Sequence, residues 1–170
     1  MEDPESMVEI DRFPEGTLGE SRSLEAARLF TRCVHESNAA DYTEEQTDAW
    51  APGTPEAILE TASKIRREFA VLARENGSVV GFGTLSPDGS ELDMLFVSPD
   101  RQRTGIGTRI TEALEREAAE RGRSTLWAHA SLTALPFFES AGFVLVRRNA
   151  AVRKGVPLTN WVVRKCIAEK

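Results

Sequence analysis

The chain has 170 residues, of which 41% are hydrophobic and 28% charged, as in an ordinary protein with one packed core. Its net charge of −6 argues against nucleic-acid binding, which needs a basic surface to neutralise phosphates. No apolar run approaches the ~18 residues of a membrane helix, and the acidic N-terminus lacks a signal-peptide pattern. We therefore expect a cytoplasmic protein with no membrane partner. Cys33 and Cys166 show neither metal-ligand nor disulfide spacing, so no metal is expected.

The N-terminal third of the sequence predicts helices. Residues 1–22 form a polar segment that is rich in proline and glycine, and we expect one short strand in it, at 7–13. From residue 23 onward, apolar residues recur at three- and four-residue spacing and predict a first helix. Thr43-Glu-Glu-Gln46 is typical of a capping box and predicts a helix over 44–50. Thr54 followed by Pro55 is a favoured start for a third helix.

The pattern then changes to strands. Residues 69–74 and 79–85 flank Asn76-Gly77, a strong hairpin signal, and 91–97 add a third strand. A long helix from Ile106 ends near Gly122, and a strand at 124–130, a short helix at 133–141 and strands at 143–148 and 161–167 follow. The sequence therefore predicts a single α+β (mixed α/β) domain over residues 1–170, with a central sheet and flanking helices.

The most informative segment joins strand 91–97 to the long helix through Gln102-Arg103-Thr104-Gly105-Ile106-Gly107. A helix start offers free backbone N–H groups to an anion, and Gly105 and Gly107 let a phosphate approach closely. Arginines also crowd this loop in an acidic chain: Arg101, Arg103 and Arg109. Taken alone, the glycines are equally consistent with a plain strand-to-helix turn. A P-loop is excluded because no lysine is near, and a dinucleotide fingerprint because Ile110 stands where its third glycine would be.

This segment resembles the GCN5-related N-acetyltransferase (GNAT) family, whose loop has the pattern [Gln/Arg]-x-x-Gly-x-[Gly/Ala]. The family also favours Val-x-Pro just upstream, matched by Val97 and Pro99. Downstream, it carries an alanine, an aromatic pair and Gly-Phe, matched by Ala134, Phe137-Phe138 and Gly142-Phe143. The resemblance covers about residues 69–167.

The resemblance implies a mostly antiparallel sheet in which two parallel strands, one ending at Val97 and one at 124–130, splay apart around acetyl-CoA. By this likeness the co-substrate contacts the backbone of Leu95, Phe96 and Val97, the loop residues Gln102, Arg103, Thr104, Gly105, Ile106, Gly107 and Thr108, and also Ser131 and Phe138. Ser131 stands where many relatives have Asn, and Phe138 where many have the tyrosine acid. Core packing explains the Phe137-Phe138 pair about as well as co-substrate contact does.

The resemblance also implies that the N-terminal helices form one wall of an acceptor pocket. His35, Tyr42 and Trp50 are the candidate substrate-binding residues, although surface capping for His35 and helix packing for Tyr42 and Trp50 are open alternatives. This region and Gly155-Val156-Pro-Leu158-Thr-Asn160-Trp161 are similar to a bacterial subgroup of small acetyltransferases. That likeness names no acceptor.

Two carboxylates are the candidate catalytic groups. Some family members carry a general base eleven residues before the motif glutamine, where Glu91 stands, and Asp93 lies on the same strand face by period-2 alternation. We expect one of the two to have a raised pKa. His129 on the neighbouring strand is the reserve base, and a solvated Glu91 at a strand edge is the structural alternative.

The resemblance therefore implies transfer of an acetyl group from acetyl-CoA to an amine of a small molecule or peptide, by direct attack on the thioester. A catalytically silent acyl-CoA-binding sensor or interaction module is the alternative. A homodimer is compatible with the sequence.

Overall fold

Helices and strands follow one another in the order that the sequence patterns predict. The computed structural model describes residues 8–167. Within them the helices are α1 (Gly16–Glu36), α2 (Glu44–Trp50), α3 (Pro55–Arg67), α4 (Ile106–Glu120) and α5 (Leu135–Ser140). The strands are β1 (Glu9–Arg12), β2 (Phe69–Glu75), β3 (Ser78–Leu85), β4 (Glu91–Val97), β5 (Thr125–Ala130), β6 (Val144–Arg153) and β7 (Val156–Cys166).

The described strands form one sheet in the order β1-β2-β3-β4-β5-β7-β6. Every neighbouring pair is antiparallel except β4 and β5. These two parallel strands pair only where Glu91 faces Trp127 and Leu92 faces Ala128, and they diverge beyond that point. The predicted mixed α/β fold, with a mostly antiparallel sheet and splayed parallel strands, is confirmed.

Each face of the sheet is covered by its own hydrophobic cluster. On one face the apolar stripe of α4 (Ile106, Ile110, Leu114 and Ala118) packs on strand residues such as Leu126 and Val163. On the other face α1 and α3 pack through Phe30, Val34 and Ile65 against Leu72, Phe82 and Met94. Helices therefore pack on both faces of the sheet at β4, and this packing holds in place the strand from which β5 diverges.

The prediction for the N-terminal segment is partly wrong. The short strand exists as β1, although Met7 lies outside the described residues. The first helix begins at Gly16 rather than near residue 23, because Gly16 and Gly19 do not break it. A Cβ at Gly19 would collide with the carbonyl group of Pro14, so this glycine allows the incoming chain to lie close against the helix.

The C-terminal strands are longer than predicted and form a hairpin. Strands β6 and β7 pair from Val144 with Arg164 to Arg153 with Val156. The turn between them is Lys154-Gly155, and both residues have positive φ, 48° and 77°, as a two-residue type I′ turn requires. Lys at the first turn position is not the usual Asn or Asp, which explains why the sequence did not predict this hairpin.

The helix starts agree with the sequence. Thr43 and Gln46 form the reciprocal capping box of α2, and the Thr54 side chain accepts a hydrogen bond from Ala57 N at the start of α3. Across the described residues 8–167, no helix combines the length and apolar character needed to cross a membrane.

Candidate active site

The glycine loop, residues 102–107, leads directly into α4. Gly105 caps the helix with φ of 86°, and no atom lies within 4 Å of the position that a Cβ would take there. Arg109 N donates to Gly105 O at 3.1 Å, so the amides of Ile106, Gly107 and Thr108 precede the first bond of the helical ladder. Free N–H groups, open space and the positive end of the helix dipole are the features that an anion site requires.

The three arginines near this loop have different surroundings. The Arg101 guanidinium contacts the buried carboxylate of Glu75, and Arg109 Nη1 donates to Val8 O at 3.0 Å. Arg103, held at a positive φ of 61°, forms no ion pair with any described residue and lines the adjacent cavity. Arg103 is therefore the member of the cluster best placed to meet a phosphate.

Side-chain hydrogen bonds hold the loop in place. Gln102 Nε2 donates to Ser37 Oγ at 3.0 Å, and Thr104 Oγ1 donates to Arg101 O at 2.6 Å. Gly107 has a structural reason for lacking a Cβ, since that atom would lie 3.2 Å from the Phe137 ring. Packing against Phe137 is therefore a second reason for glycine at position 107, separate from the predicted approach of a phosphate.

A cavity of about 1250 Å³ joins the loop to the far side of the splayed strands. Its loop end is lined by Gln102, Arg103, Gly105, Gly107 and Thr108, and its middle by Leu95, Phe96, Val97, Ser131 and Phe138. Thr104 and Ile106 are not among the described lining residues, and Ile106 is buried in the core. The structure thus brings together most of the predicted co-substrate residues.

Two of these residues also have internal roles. Ser131 Oγ accepts hydrogen bonds from Asn38 Nδ2 at 3.3 Å and from Ala134 N at 3.0 Å. Phe138 is only 4% exposed and packs edge-on against Phe143. Core packing and cavity lining therefore coexist at Phe138, which has no hydroxyl group to offer an acid.

Beyond the splay, Glu91 and His129 meet at the cavity wall. Glu91 Oε1 lies 2.8 Å from His129 Nδ1, and both side chains are partly exposed to the cavity. The sequence patterns predicted Glu91 as the general base and His129 as its alternative, whereas in the structure the two side chains form one hydrogen-bonded pair. With Nδ1–H donated to the carboxylate, Nε2 is left as a proton acceptor.

Asp93 also lines the cavity, but its carboxyl partner is Glu68, a residue that the sequence did not single out. Lys64 Nζ lies 2.9 Å from Asp93 Oδ2. Burial, together with the nearby Asp93, raises the pKa of Glu68 to about 7. Burial alone would raise the pKa of Asp93, but hydrogen bonds from Glu68 and Lys64 hold it below its usual value. The expected raised pKa therefore belongs to Glu68, and the prediction is wrong for Asp93.

The three predicted acceptor residues divide by position. His35 Nε2 lies 2.7 Å from Ala51 O, which ties α1 to the end of α2, and His35 is not among the described lining residues. Trp50 lines the cavity and contacts the rings of Phe30 and Phe96. His35 is therefore structural here, and Trp50 is a wall residue.

Tyr42 is a buried cavity residue whose hydroxyl group is fully engaged. It donates to Thr159 O at 2.7 Å and accepts from Leu132 N at 3.0 Å. Burial raises the pKa of this phenol. The Tyr42 hydroxyl therefore links the helical wall to β7 and to the segment after β5. Its proton is donated to Thr159 O.

Comparisons with known proteins agree with this geometry. The family of acetyltransferase (GNAT) domains matches residues 38–165. The N-acetyltransferase YafP of Escherichia coli K12 is 31% identical over 136 residues, which are 80% of this chain and 84% of YafP. The chain therefore belongs to the GNAT family.

Solved structures show the same fold. A GCN5-related N-acetyltransferase from Rhodopseudomonas palustris superposes with a TM-score of 0.84 at 29% identity, covering 95% of this chain and 96% of that one. The acetyltransferase yncA of Salmonella typhimurium, solved with acetyl-CoA, superposes with a TM-score of 0.68 at 18% identity, covering 97% and 96%.

Proposed function

We propose that the protein transfers the acetyl group of acetyl-CoA to an amine of a small molecule or peptide, by direct attack of the amine on the thioester. One observation carries this proposal: a single cavity runs from the anion site at the start of α4, through the splay of β4 and β5, to the Glu91–His129 pair. An extended ligand with phosphates at one end and a reactive group at the other fits this path.

The residues present suit acetyl-CoA. The open space at Gly105 and the amides that begin α4 would receive the pyrophosphate, with Arg103 beside it. Where β4 leaves β5, backbone groups of Leu95, Phe96 and Val97 would be available to the amides of the pantetheine arm. Relatives of the same fold are solved with CoA or acetyl-CoA, which supports this choice of co-substrate.

The Glu91–His129 pair would remove the proton that blocks attack. An alkyl amine has a pKa near ~10 and arrives protonated at neutral pH, so it needs an acceptor within hydrogen-bond reach. Glu91 fixes the imidazole orientation through Nδ1, leaving Nε2 to take the proton, the arrangement of an oriented base. The acetyl donor supplies its own leaving group, a thiol of pKa ~8.5 that departs readily as thiolate. This chemistry asks little of a general acid, in keeping with Phe138 and the engaged Tyr42 hydroxyl.

The test is an assay of CoA release against a panel of amines, with mass spectrometry of the acetylated product. We expect turnover with at least one amine, and loss of most of that turnover in Glu91→Gln at unchanged acetyl-CoA affinity. Tight acetyl-CoA binding with no acetylated product from any amine would instead favour the silent acyl-CoA-binding module.

A further inference from the structure

A second group of charged side chains lies where the end of α3 meets β4. Glu68 caps α3, with its N–H donating to Ile65 O at 3.3 Å. One helical turn earlier, Lys64 forms the ion pair with Asp93 already described. Lys64 and Asp93 line the cavity, whereas Glu68, whose carboxyl group contacts that of Asp93, is not among the described lining residues.

Asp93 lies at a β-bulge in β4. Leu85 of β3 pairs with Leu92, but the preceding Thr84 pairs with Met94, so Asp93 is the extra residue of β4. A bulge re-aims the side chain it carries. Asp93 extends toward α3 with 23% of its side chain exposed, and so connects the cavity to Glu68.

The contact between the two carboxyl groups requires a proton. Two carboxylates offer each other no donor, so they form a hydrogen bond only when one of them is protonated. Glu68 Oε2 is buried without a hydrogen-bond partner among the described residues. Burial disfavours the charged form of this carboxyl group more than the neighbouring Thr84 hydroxyl favours it, and the pKa of about 7 agrees with a neutral Glu68.

We propose that Glu68 is a positioning residue that acts through Asp93: the two carboxyl groups hold one proton between them, which keeps Asp93 on the cavity wall as a single negative charge for a cationic amine, and loss of that proton adds a second charge behind it. This inference rests on the proposed function only in that an amine enters the cavity. The amine keeps its proton on binding, and the proton of the pair is exchanged with solvent.

Other charged groups face the pair and set its environment. Lys64 approaches from α3 and favours ionisation, while His129 on β5 lowers the pKa of Asp93. Glu91 lies two residues before Asp93 on β4 and is bonded to His129. Because His129 also faces Asp93 and is bonded to Glu91, the contribution of the pair has to be measured as the difference that Glu68 makes.

The first experiment follows the side-chain carboxyl carbons by NMR between pH 4 and 9 in CoA-bound protein. We expect one carboxyl to titrate near pH 7 in the wild type and in Glu60→Gln, a matched change at an exposed position of α3. This titration should be missing in Glu68→Gln. In Asp93→Asn its pKa should fall by at least one unit, because a like charge is gone and an amide donor has replaced it.

The second experiment measures binding of phenethylamine and of its uncharged analogue 2-phenylethanol at pH 6 and pH 8. Phenethylamine should bind roughly five- to tenfold more tightly at pH 8 in the wild type and Glu60→Gln. Most of this gain should be lost in Glu68→Gln, and 2-phenylethanol should show none. Phenethylamine that binds no better than the alcohol, or equal gains in wild type and Glu68→Gln, would overturn the role of the pair.

The two proposals fail separately. A carboxyl that titrates near pH 7 and responds to Asp93→Asn supports the pair even if no amine is acetylated. Acetylation without any carboxyl titrating between pH 6 and 8, or with a pKa that Asp93→Asn leaves unchanged, overturns the pair and leaves the proposed function standing.

Discussion

Glu91 and His129 contribute different properties to one hydrogen-bonded pair. The carboxylate supplies a fixed charge and an acceptor, and the imidazole supplies a second nitrogen that faces away from it. A carboxylate alone at a partly exposed strand edge would be mobile, and an imidazole alone would lack a defined orientation. The contact between Oε1 and Nδ1 therefore makes each residue depend on the other.

This dependence predicts non-additive kinetics. Glu91→Gln and His129→Ala should each lower kcat by ~10²-fold, the low end of general-base effects, and the double variant should lose little more than either one. The loss should concern the pH-dependent limb of kcat, and acetyl-CoA affinity should be retained. Full turnover in His129→Ala with an inactive Glu91→Gln would assign the base to Glu91 alone.

Gly105 allows backbone strain and ligand contact to be separated. With φ of 86°, alanine there should lower the free energy of unfolding by ~1–2 kcal/mol, although no neighbouring atom is met. Asparagine tolerates this conformation far better, so Gly105→Asn should restore most of the stability. Both side chains would enter the space assigned to the phosphates, and calorimetry should show weakened acetyl-CoA binding in both. Normal affinity in Gly105→Asn would show that the phosphates lie elsewhere.

At the scale of elements, Tyr42 joins the helical wall to the C-terminal hairpin. Tyr42→Phe removes one hydroxyl group and leaves Thr159 O and Leu132 N without this partner. Leaving buried polar groups unpaired costs ~1–3 kcal/mol, so the midpoint of denaturant unfolding should fall. The kcat should change by less than ~10-fold, because the phenol proton is not available for the leaving group. A larger loss of kcat at unchanged stability would restore Tyr42 as an acid.

Local signals predicted the elements that depend on neighbouring residues. The capping box at Thr43, the Asn76-Gly77 turn and the loop before α4 are contiguous patterns, and each was found in its predicted place. The early start of α1 was missed because a glycine that permits close approach looks like a glycine that ends a helix.

Those parts of the candidate site that belong to contiguous sequence patterns could be predicted, and those that depend on contacts between distant residues could not. Gln102 and Gly105 belong to a short motif, and Glu91 lies at a fixed distance from it. Glu68 acquires its importance from a contact with Asp93 across the fold, and from a bulge that has no signature in the sequence. Such contacts between distant residues could not be inferred from spacing.

At the scale of the whole molecule, the carboxyl pair should affect stability in a defined pH range. The folded pKa of Glu68, about 7, exceeds its ordinary value of 4.5, so the folded state binds the proton more tightly than the unfolded state does. The free energy of unfolding should therefore fall as pH rises from about 4.5 to about 7. Because Glu68 is only partly buried, we expect a loss on the order of 1 kcal/mol.

Denaturant titrations at pH 5 and pH 8 would measure this loss. In Glu68→Gln the difference in unfolding free energy between the two pH values should shrink by that amount, while Glu60→Gln should behave as the wild type. Asp93 acts in the opposite sense, since its lowered pKa adds stability that is lost only as pH falls below about 4. An unchanged difference in Glu68→Gln would show that Glu68 ionises normally.

The divergence of β4 from β5 divides the sheet into two parts that share only a short stretch of backbone pairing, although one hydrophobic cluster packs against both parts. In the backbone pairing between β4 and β5, Glu91 pairs with Trp127 and Leu92 with Ala128. This short pairing should open at a lower free energy than the longer pairing within either part of the sheet. In hydrogen exchange, amides along the diverging part of β4 should exchange faster than those of β3. A ligand lying between the diverging strands β4 and β5 would act as a missing strand and slow this exchange. It would add stability of about RT ln(1 + [L]/Kd). The two halves would then unfold as one unit, so the co-substrate would set how cooperatively this protein folds.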